Sequence, residues 1–240
     1  MTKCHTIIAI MLMLLLPSCQ RNGHVSKPSS EKRTHIERSA DSTQWRAAVE
    51  EAKHFLFDPN SPYRDEEAYI PVLESIMESE YASAEEKAEA GSLLPRLKLN
   101  RPGTVATDFS IAFKGGRINT LHEILDGLDV KYTILLFSNP GCDACKETID
   151  FLESDGFRHL QKEGLLAVVC VYPDEDQSLW EEYLPQYPQQ WICGYDPYGV
   201  LLNDQLYWLR AIPSFYLLDG DGRVILKDAS EQRLASVLLR

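Results

Sequence analysis

Cys142 and Cys145 stand two residues apart in the run Ser138-Asn139-Pro140-Gly141-Cys142-Asp143-Ala144-Cys145-Lys146. A pair at that spacing supports thiol–disulfide exchange, part of a metal site, or a structural staple. Exchange needs a thiolate at one cysteine and a second thiol close enough to resolve the mixed disulfide it forms. The flanking residues favour this chemistry. Tyr132 to Phe137, YTILLF, is a continuous apolar run of strand length, as expected for a strand covered on both faces. It stops at Asn139-Pro140-Gly141, and a helical pattern runs from Cys142 to Leu152. A cysteine at such a junction meets unpaired backbone N–H groups and the positive end of a helix dipole, the setting of a reactive thiolate. Cys145, one turn on, is placed to attack a mixed disulfide at Cys142.

The metal reading lacks ligands. Structural zinc takes four, usually Cys and His, and the chain has no second CxxC; His122 and His159 stand at no ligand spacing to the pair. Haem attachment needs His directly after the pair, where Lys146 stands. Asp219-Gly220-Asp221-Gly222 lacks the later ligands of a calcium loop and reads as a hairpin turn. Cys170 lies in the strand-like LLAVVCVY, where a free cysteine acts as a small hydrophobe. Cys193 is either buried or paired with Cys170.

The elements that must position the pair follow from the patterning. Lys3 and the apolar run Ile7 to Leu16 read as a secretory signal, and Leu16-Pro17-Ser18-Cys19 resembles a bacterial lipobox, which implies a lipoprotein signal at residues 1–18 with Cys19 the lipidated first mature residue; the alternative is ordinary signal cleavage with Cys19 a bystander. The run is about half of the roughly 20 apolar residues a membrane span needs. Residues 19–41 are polar and read as a flexible linker, because they cannot bury enough surface to offset their ordering entropy. Residues 42–100 read as a helical domain. Its first helix is capped by Ser42 and carries a Trp45, Val49, Ala52, Leu56 stripe; its second, with Pro71 near the first turn or at a bend, carries Tyr69, Val72, Leu73, Ile76 and Met77; its third opens on a Ser83–Glu86 capping box. Residues 101–240 begin with a hairpin, Phe109 to Phe113 and Ile118 to Thr120, and a short helix, Leu121 to Leu128. A strand, the CxxC helix and a second buried strand, Leu165 to Tyr172, follow, the two strands parallel through a right-handed crossover. A helix at Gln177 to Tyr183, strands Phe215 to Leu218 and Val224 to Lys227, and a helix Ser230 to Leu239 complete the chain. A formal charge of −12 argues against a nucleic-acid partner, which is bound through clustered Lys and Arg.

The order hairpin, strand, CxxC helix, strand, helix, Ile-Pro, hairpin, helix resembles the thioredoxin fold, an α/β class. PGTVATDFSIAFKGGRINTLHEI, Pro102 to Ile124, resembles the entry hairpin of its membrane-anchored, periplasm-facing reductases. DPNSPYRDEEAYIPVLE, Asp58 to Glu74, is similar to a helical domain of unknown function that precedes such a domain in lipoproteins of anaerobic Gram-negative bacteria. The resemblance implies a thiol–disulfide oxidoreductase of protein disulfides without a cofactor. Cys142 is then the nucleophile and Cys145 the resolving thiol. Pro213 is the cis-proline facing them, and Ile212 offers backbone groups to an extended client by strand addition. It also implies a lipid-anchored envelope location facing the periplasm, with protein clients and an electron donor as partners.

Several residues depart from the family. Gly141 replaces the usual Trp before the first cysteine, and Leu136 replaces a buried carboxylate six residues before it. Glu147 is expected on a solvated helix face. Asn139 replaces the Thr that related peroxidases need three residues before the reactive cysteine. Asp143 disfavours a thiolate at Cys142, which implies a reductase or isomerase-like partner rather than a strong oxidant. The competing expectation is a non-catalytic binding lipoprotein whose CxxC is a permanent staple.

Overall fold

The computed structural model describes residues 41–239. The expected signal segment, the Cys19 anchor and nearly all of the linker lie outside the described residues.

Three helices open the chain: α1 (Ser42–Leu56), α2 (Glu66–Glu78) and α3 (Ala84–Leu97). Asp41 rather than Ser42 caps α1, its carboxylate accepting the Thr43 and Gln44 N–H groups at 2.8 and 2.9 Å. A carboxylate there both satisfies orphan donors and opposes the helix dipole, which a serine hydroxyl does only in part. The Ser83–Glu86 capping box forms at α3. The apolar stripes meet as one core that buries Trp45, Ala52, Leu56, Tyr69, Leu73, Ile76 and Leu97. Met77 falls on the rim, 43% exposed. Pro71 lies in the second turn of a helix that continues past it.

The remaining chain builds a seven-stranded sheet in the order β2-β1-β5-β4-β3-β6-β7. Its strands are β1 (Ser110–Ala112), β2 (Ile118–Thr120), β3 (Tyr132–Phe137), β4 (Leu166–Tyr172), β5 (Ile192–Tyr195), β6 (Ser214–Asp219) and β7 (Val224–Lys227). β3 is central, parallel to β4 and antiparallel to β6. Alternation along β3 decides what packs where. Ile134 and Leu136 face a core shared with α5 (Asp143–Leu152), α6 (Asp155–Lys162) and α9 (Glu231–Leu238). Leu135 and Phe137 face the opposite core, with α4 (Leu121–Asp126), α8 (Val200–Asn203) and Tyr207. A seventh helix, α7 (Gln177–Tyr183), leads into a 3-10 turn, Leu184–Gln186.

Sequence patterning missed α6, β5 and α8. β5 is four residues with Gly194 inside, too short and too glycine-interrupted to carry a period-2 signal. That glycine is required: a Cβ there would sit 2.4 Å from Ile111 Cγ2 and 2.7 Å from the Ala112 carbonyl, where β1 closes on β5. Asp219-Gly220-Asp221-Gly222 is a hairpin turn, with Asp219 accepting the Asp221 and Arg223 N–H groups at 3.0 and 2.8 Å.

The helical region and the sheet meet at a buried ionic cluster. Glu66, in the first turn of α2, has Lys227 Nζ 3.1 Å from one oxygen and Arg210 Nε 3.0 Å from the other. Neither contact is aligned as a hydrogen bond. Glu66 and Lys227 side chains are each 1% exposed. Lys227 also donates to the Leu97 and Leu99 carbonyls at 2.6 Å, and Arg210 pairs with Asp228 at 2.5 Å and with the Phe57 carbonyl. Burial outweighs the two cations and holds the Glu66 carboxyl above the usual carboxylate range.

Removing one member leaves the others charged and dry, a loss of about 3–5 kcal/mol. Glu66→Ala is therefore expected to lower the unfolding free energy by that much. Lys98→Ala, which breaks only the half-exposed pair with Glu74 at 3.1 Å, is expected to cost less than about 1 kcal/mol. Equal small losses in chemical unfolding would refute the assignment.

Candidate functional site

Strand β3 ends at Phe137, and the chain turns through Ser138 to Gly141 into α5. Cys142 is the N-cap, with extended backbone (φ −90°, ψ 119°), and its Sγ accepts the Cys145 N–H at 3.2 Å. A sulfur in the capping role occupies the place where backbone donors converge and negative charge is stabilised. Cys145 lies behind it, 2% exposed, its Sγ accepting the Asn139 N–H at 3.4 Å. Burial pushes the Cys145 thiol up to about 12, and bonding to Cys142 adds to this; the Asn139 N–H and the Ser138 hydroxyl pull the other way and lose. The two thiols are thus unequal: one half-buried at the helix end, one dry and neutral.

Cys142 opens on a cleft of about 310 Å³ whose walls include Pro140, Lys146, Ile149, Tyr183 and Tyr187. Gly141 sits at φ +68°, and a Cβ there would approach Tyr183 Oη to 3.1 Å. The Tyr183 ring, brought from the end of α7, therefore stands beside the exposed backbone before Cys142.

Ile212–Pro213 is a cis peptide. Ser214 is the partner of Phe137 in the β3–β6 ladder, and continuing that register sets Pro213 opposite Ser138, at the strand end from which the cysteines emerge. Cys142, Cys145 and Pro213 thus gather at one end of the sheet, with Ile212 beside them, half-buried against the core that holds Phe137. Leu136 is buried hydrocarbon, and Glu147 is exposed.

Four contributors match no sequence motif. Ser138 is fully buried, its hydroxyl 3.2 Å from Tyr187 Oη. Tyr187 and Tyr183 arrive from a segment some 45 residues downstream, a separation that only tertiary structure closes. Thr148 Oγ1 donates to Glu231 at 2.9 Å and pins α5 to α9. The cue for Ser138 was its place directly after a wholly apolar strand, where a small polar residue is buried with it. Among the described residues no cluster of three or more His, Cys, Asp or Glu is built to hold a metal, and no helix is long and apolar enough to cross a membrane.

A central strand parallel to one neighbour and antiparallel to the other, with CxxC at a helix N-terminus and a cis-proline beside it, defines a thioredoxin-class domain. Comparison with solved structures agrees. A thioredoxin-like protein from Bacteroides caccae is 37% identical, with TM-score 0.78 over 88% of this chain and 76% of that one. The C-terminal domain of an uncharacterized protein from Bacteroides fragilis is 37% identical over 59% of this chain and 99% of its own, TM-score 0.55. A conserved protein of unknown function from Bacteroides fragilis is 36% identical over 57% and 98%, TM-score 0.54. Residues 24–100 match the family described as a domain of unknown function, DUF5106. No curated protein matches. The chain belongs to the thioredoxin-like family.

Buried Cys145 gives a pH signature. In the unfolded chain its thiol titrates near the ordinary 9.0, and in the fold only toward about 12. Its neutral form therefore stabilises the fold in full below pH 9, and that contribution drains as pH rises from 9 to about 12. Cys145→Ala is expected to flatten the alkaline fall of the denaturant midpoint in the reduced protein. Iodoacetamide at pH 9 is expected to label Cys142 and spare Cys145. Labelling of both at equal rates by peptide mass mapping would contradict the burial argument.

Proposed function

We propose that the protein is a thiol–disulfide oxidoreductase that reduces protein disulfides in the cell envelope of a Gram-negative bacterium, held at the membrane by a lipid on Cys19 and facing the periplasm. The supporting observation is the inequality of the pair: Cys142 open to a cleft at the N-terminus of α5, Cys145 dry one turn behind it. Cys142 attacks a client disulfide and forms a mixed disulfide, releasing the client's other sulfur as a thiolate. Cys145 then attacks Cys142, frees the client's second thiol and leaves Cys142–Cys145 oxidised. An extended client segment lies along the backbone at Ile212 and Pro213. An external dithiol donor resets the pair.

Asp143 favours the reductive direction. It stands in the first turn of α5, exposed, next to Cys142. Its charge opposes a thiolate there and so destabilises the reduced couple, and strong oxidants of this class are those whose reduced form is stabilised.

Wild-type protein is expected to catalyse insulin reduction by dithiothreitol, with Cys142→Ser at the uncatalysed background and Cys145→Ala trapped as a mixed disulfide. A Cys142→Ser variant as active as wild type, or a wild type without turnover, would leave a binding protein with a stapled CxxC. The reduction potential is expected well below the about −120 mV of the strong oxidants, and Asp143→Asn should raise it by up to about 30 mV. A wild-type potential near that of the oxidants would overturn the direction.

A further inference from the structure

The mechanism leaves two thiols unused. Cys170 of β4 and Cys193 of β5 are direct register partners on adjacent parallel strands, and both are free. Register partners project to the same face, and paired strands run about 4.8 Å apart. That separation falls inside the about 4.4–6.8 Å of Cα spacing that a disulfide spans, the Cys193 side chain already hydrogen-bonds the Cys170 sulfur, and closing the bond draws the two Cβ atoms to about 3.5–4.5 Å. The face is the one that packs against the CxxC helix: Cys170 and Cys193 share a core with Leu136, Ile149, Leu152, Tyr187 and Trp191. Cys145 lies on the same sheet-facing stripe of α5 as Ile149 and Leu152, at i, i+4 and i+7, with its sulfur accepting the Asn139 N–H at 3.4 Å. Ser138 stands between, its hydroxyl acting on the sulfurs of both Cys145 and Cys170. Cys170 is 3% exposed and Cys193 half-buried, and Cys170 is the member of the pair on which Cys145 acts.

We propose that Cys170 and Cys193 form a second dithiol–disulfide couple, an internal reductant that regenerates the reduced CxxC through Cys145. This rests on the CxxC pair cycling as described above. The Cys170 sulfur attacks Cys145 Sγ of the Cys142–Cys145 disulfide, the S–S bond between those two breaks, and Cys142 leaves as a thiolate that takes up the proton Cys170 has lost. The Cys193 sulfur then attacks Cys170 in the Cys145–Cys170 mixed disulfide and releases Cys145, which is protonated in turn. Two electrons and two protons pass from Cys170 and Cys193 to Cys142 and Cys145, and the inner pair ends as a disulfide. A fully reduced chain thereby serves two client disulfides before an external donor is needed.

The test uses full-length reduced protein mixed with excess glutathione disulfide as the oxidant. It is quenched in acid over time, alkylated, and mapped by peptide mass spectrometry. The expected wild-type product is a Cys170–Cys193 linkage appearing after Cys142–Cys145. Cys193→Ser should accumulate a Cys145–Cys170 linkage, and Cys145→Ser should slow formation of the inner disulfide by more than tenfold, with folding of each variant checked by circular dichroism. Single-turnover insulin reduction without added donor should fall from two disulfides per chain to one in Cys170→Ala. A wild type that turns over insulin and oxidises Cys142–Cys145 fully while Cys170 and Cys193 stay alkylatable would overturn the inner couple and leave the CxxC function standing. Formation of the inner linkage at the same rate in Cys145→Ser would overturn the relay. A wild type without insulin turnover would be a failure of the CxxC function itself.

Discussion

The structure depends on charges that cannot be hydrated. Glu66 and Lys227 sit at a junction where each is 1% exposed, and an isolated ion there would cost several kcal/mol. The fold answers by convergence. Lys227 pairs with Glu66 by charge and donates to two carbonyls at the end of α3, while Arg210 spans Glu66, Asp228 and the Phe57 carbonyl at the end of α1. These partners come from both ends of the helical region and from the β7 exit, so the charges are satisfied only when every piece is in place. Around the cluster, Arg64 reaches the Asp228 and Ala229 carbonyls at 3.1 and 2.7 Å, and Arg101 pairs with Glu67 at 2.7 Å. The helices are thus joined to the sheet by directional contacts as well as by apolar packing.

The same cluster extends to the chemistry. Asp228 accepts from Ser214 Oγ at 3.2 Å, and Ser214 is both the residue after Pro213 and the ladder partner of Phe137. A chain of contacts therefore runs from α2 through Glu66, Arg210 and Asp228 to the strand end where Cys142 and Cys145 emerge. The link is mechanical rather than electronic: the charges lie on the Pro213 side of the sheet end, and what they hold is the position of the backbone that an extended client would meet.

The sequence made the α/β architecture legible because its central strands are covered on both faces and read as unbroken apolar runs, and because CxxC at a strand-to-helix junction is a local signal. Pro213 was legible only through resemblance, since one Ile-Pro pair says nothing of its geometry. The parts that stayed hidden are those built from distant, chemically ordinary residues. Tyr183, Tyr187 and Ser138 match no motif, and Glu66 and Lys227 look like any surface charges until the fold closes over them. Cys170 and Cys193 stood as a question that register answers: β5 is too short to be read from periodicity, and without β5 there is no neighbour for Cys170.

The departures around the CxxC follow one logic. The position of the usual tryptophan carries φ +68° and has Tyr183 Oη 3.1 Å from where a side chain would begin, so the aromatic ring beside Cys142 comes from α7 instead. The position of the usual buried carboxylate is Leu136, level with Cys170 and Phe215 in the sheet. A carboxylate there would be a second unhydrated anion beside a thiol that burial already holds neutral, with no cation near to offset it. Ser138 and Tyr187 instead bring hydroxyls to the same space, polar contacts that carry no charge and can be buried at about the cost of one satisfied hydrogen bond. A charge at 136 would push the Cys170 thiol further in the direction burial already takes it, and the apolar leucine adds no such charge.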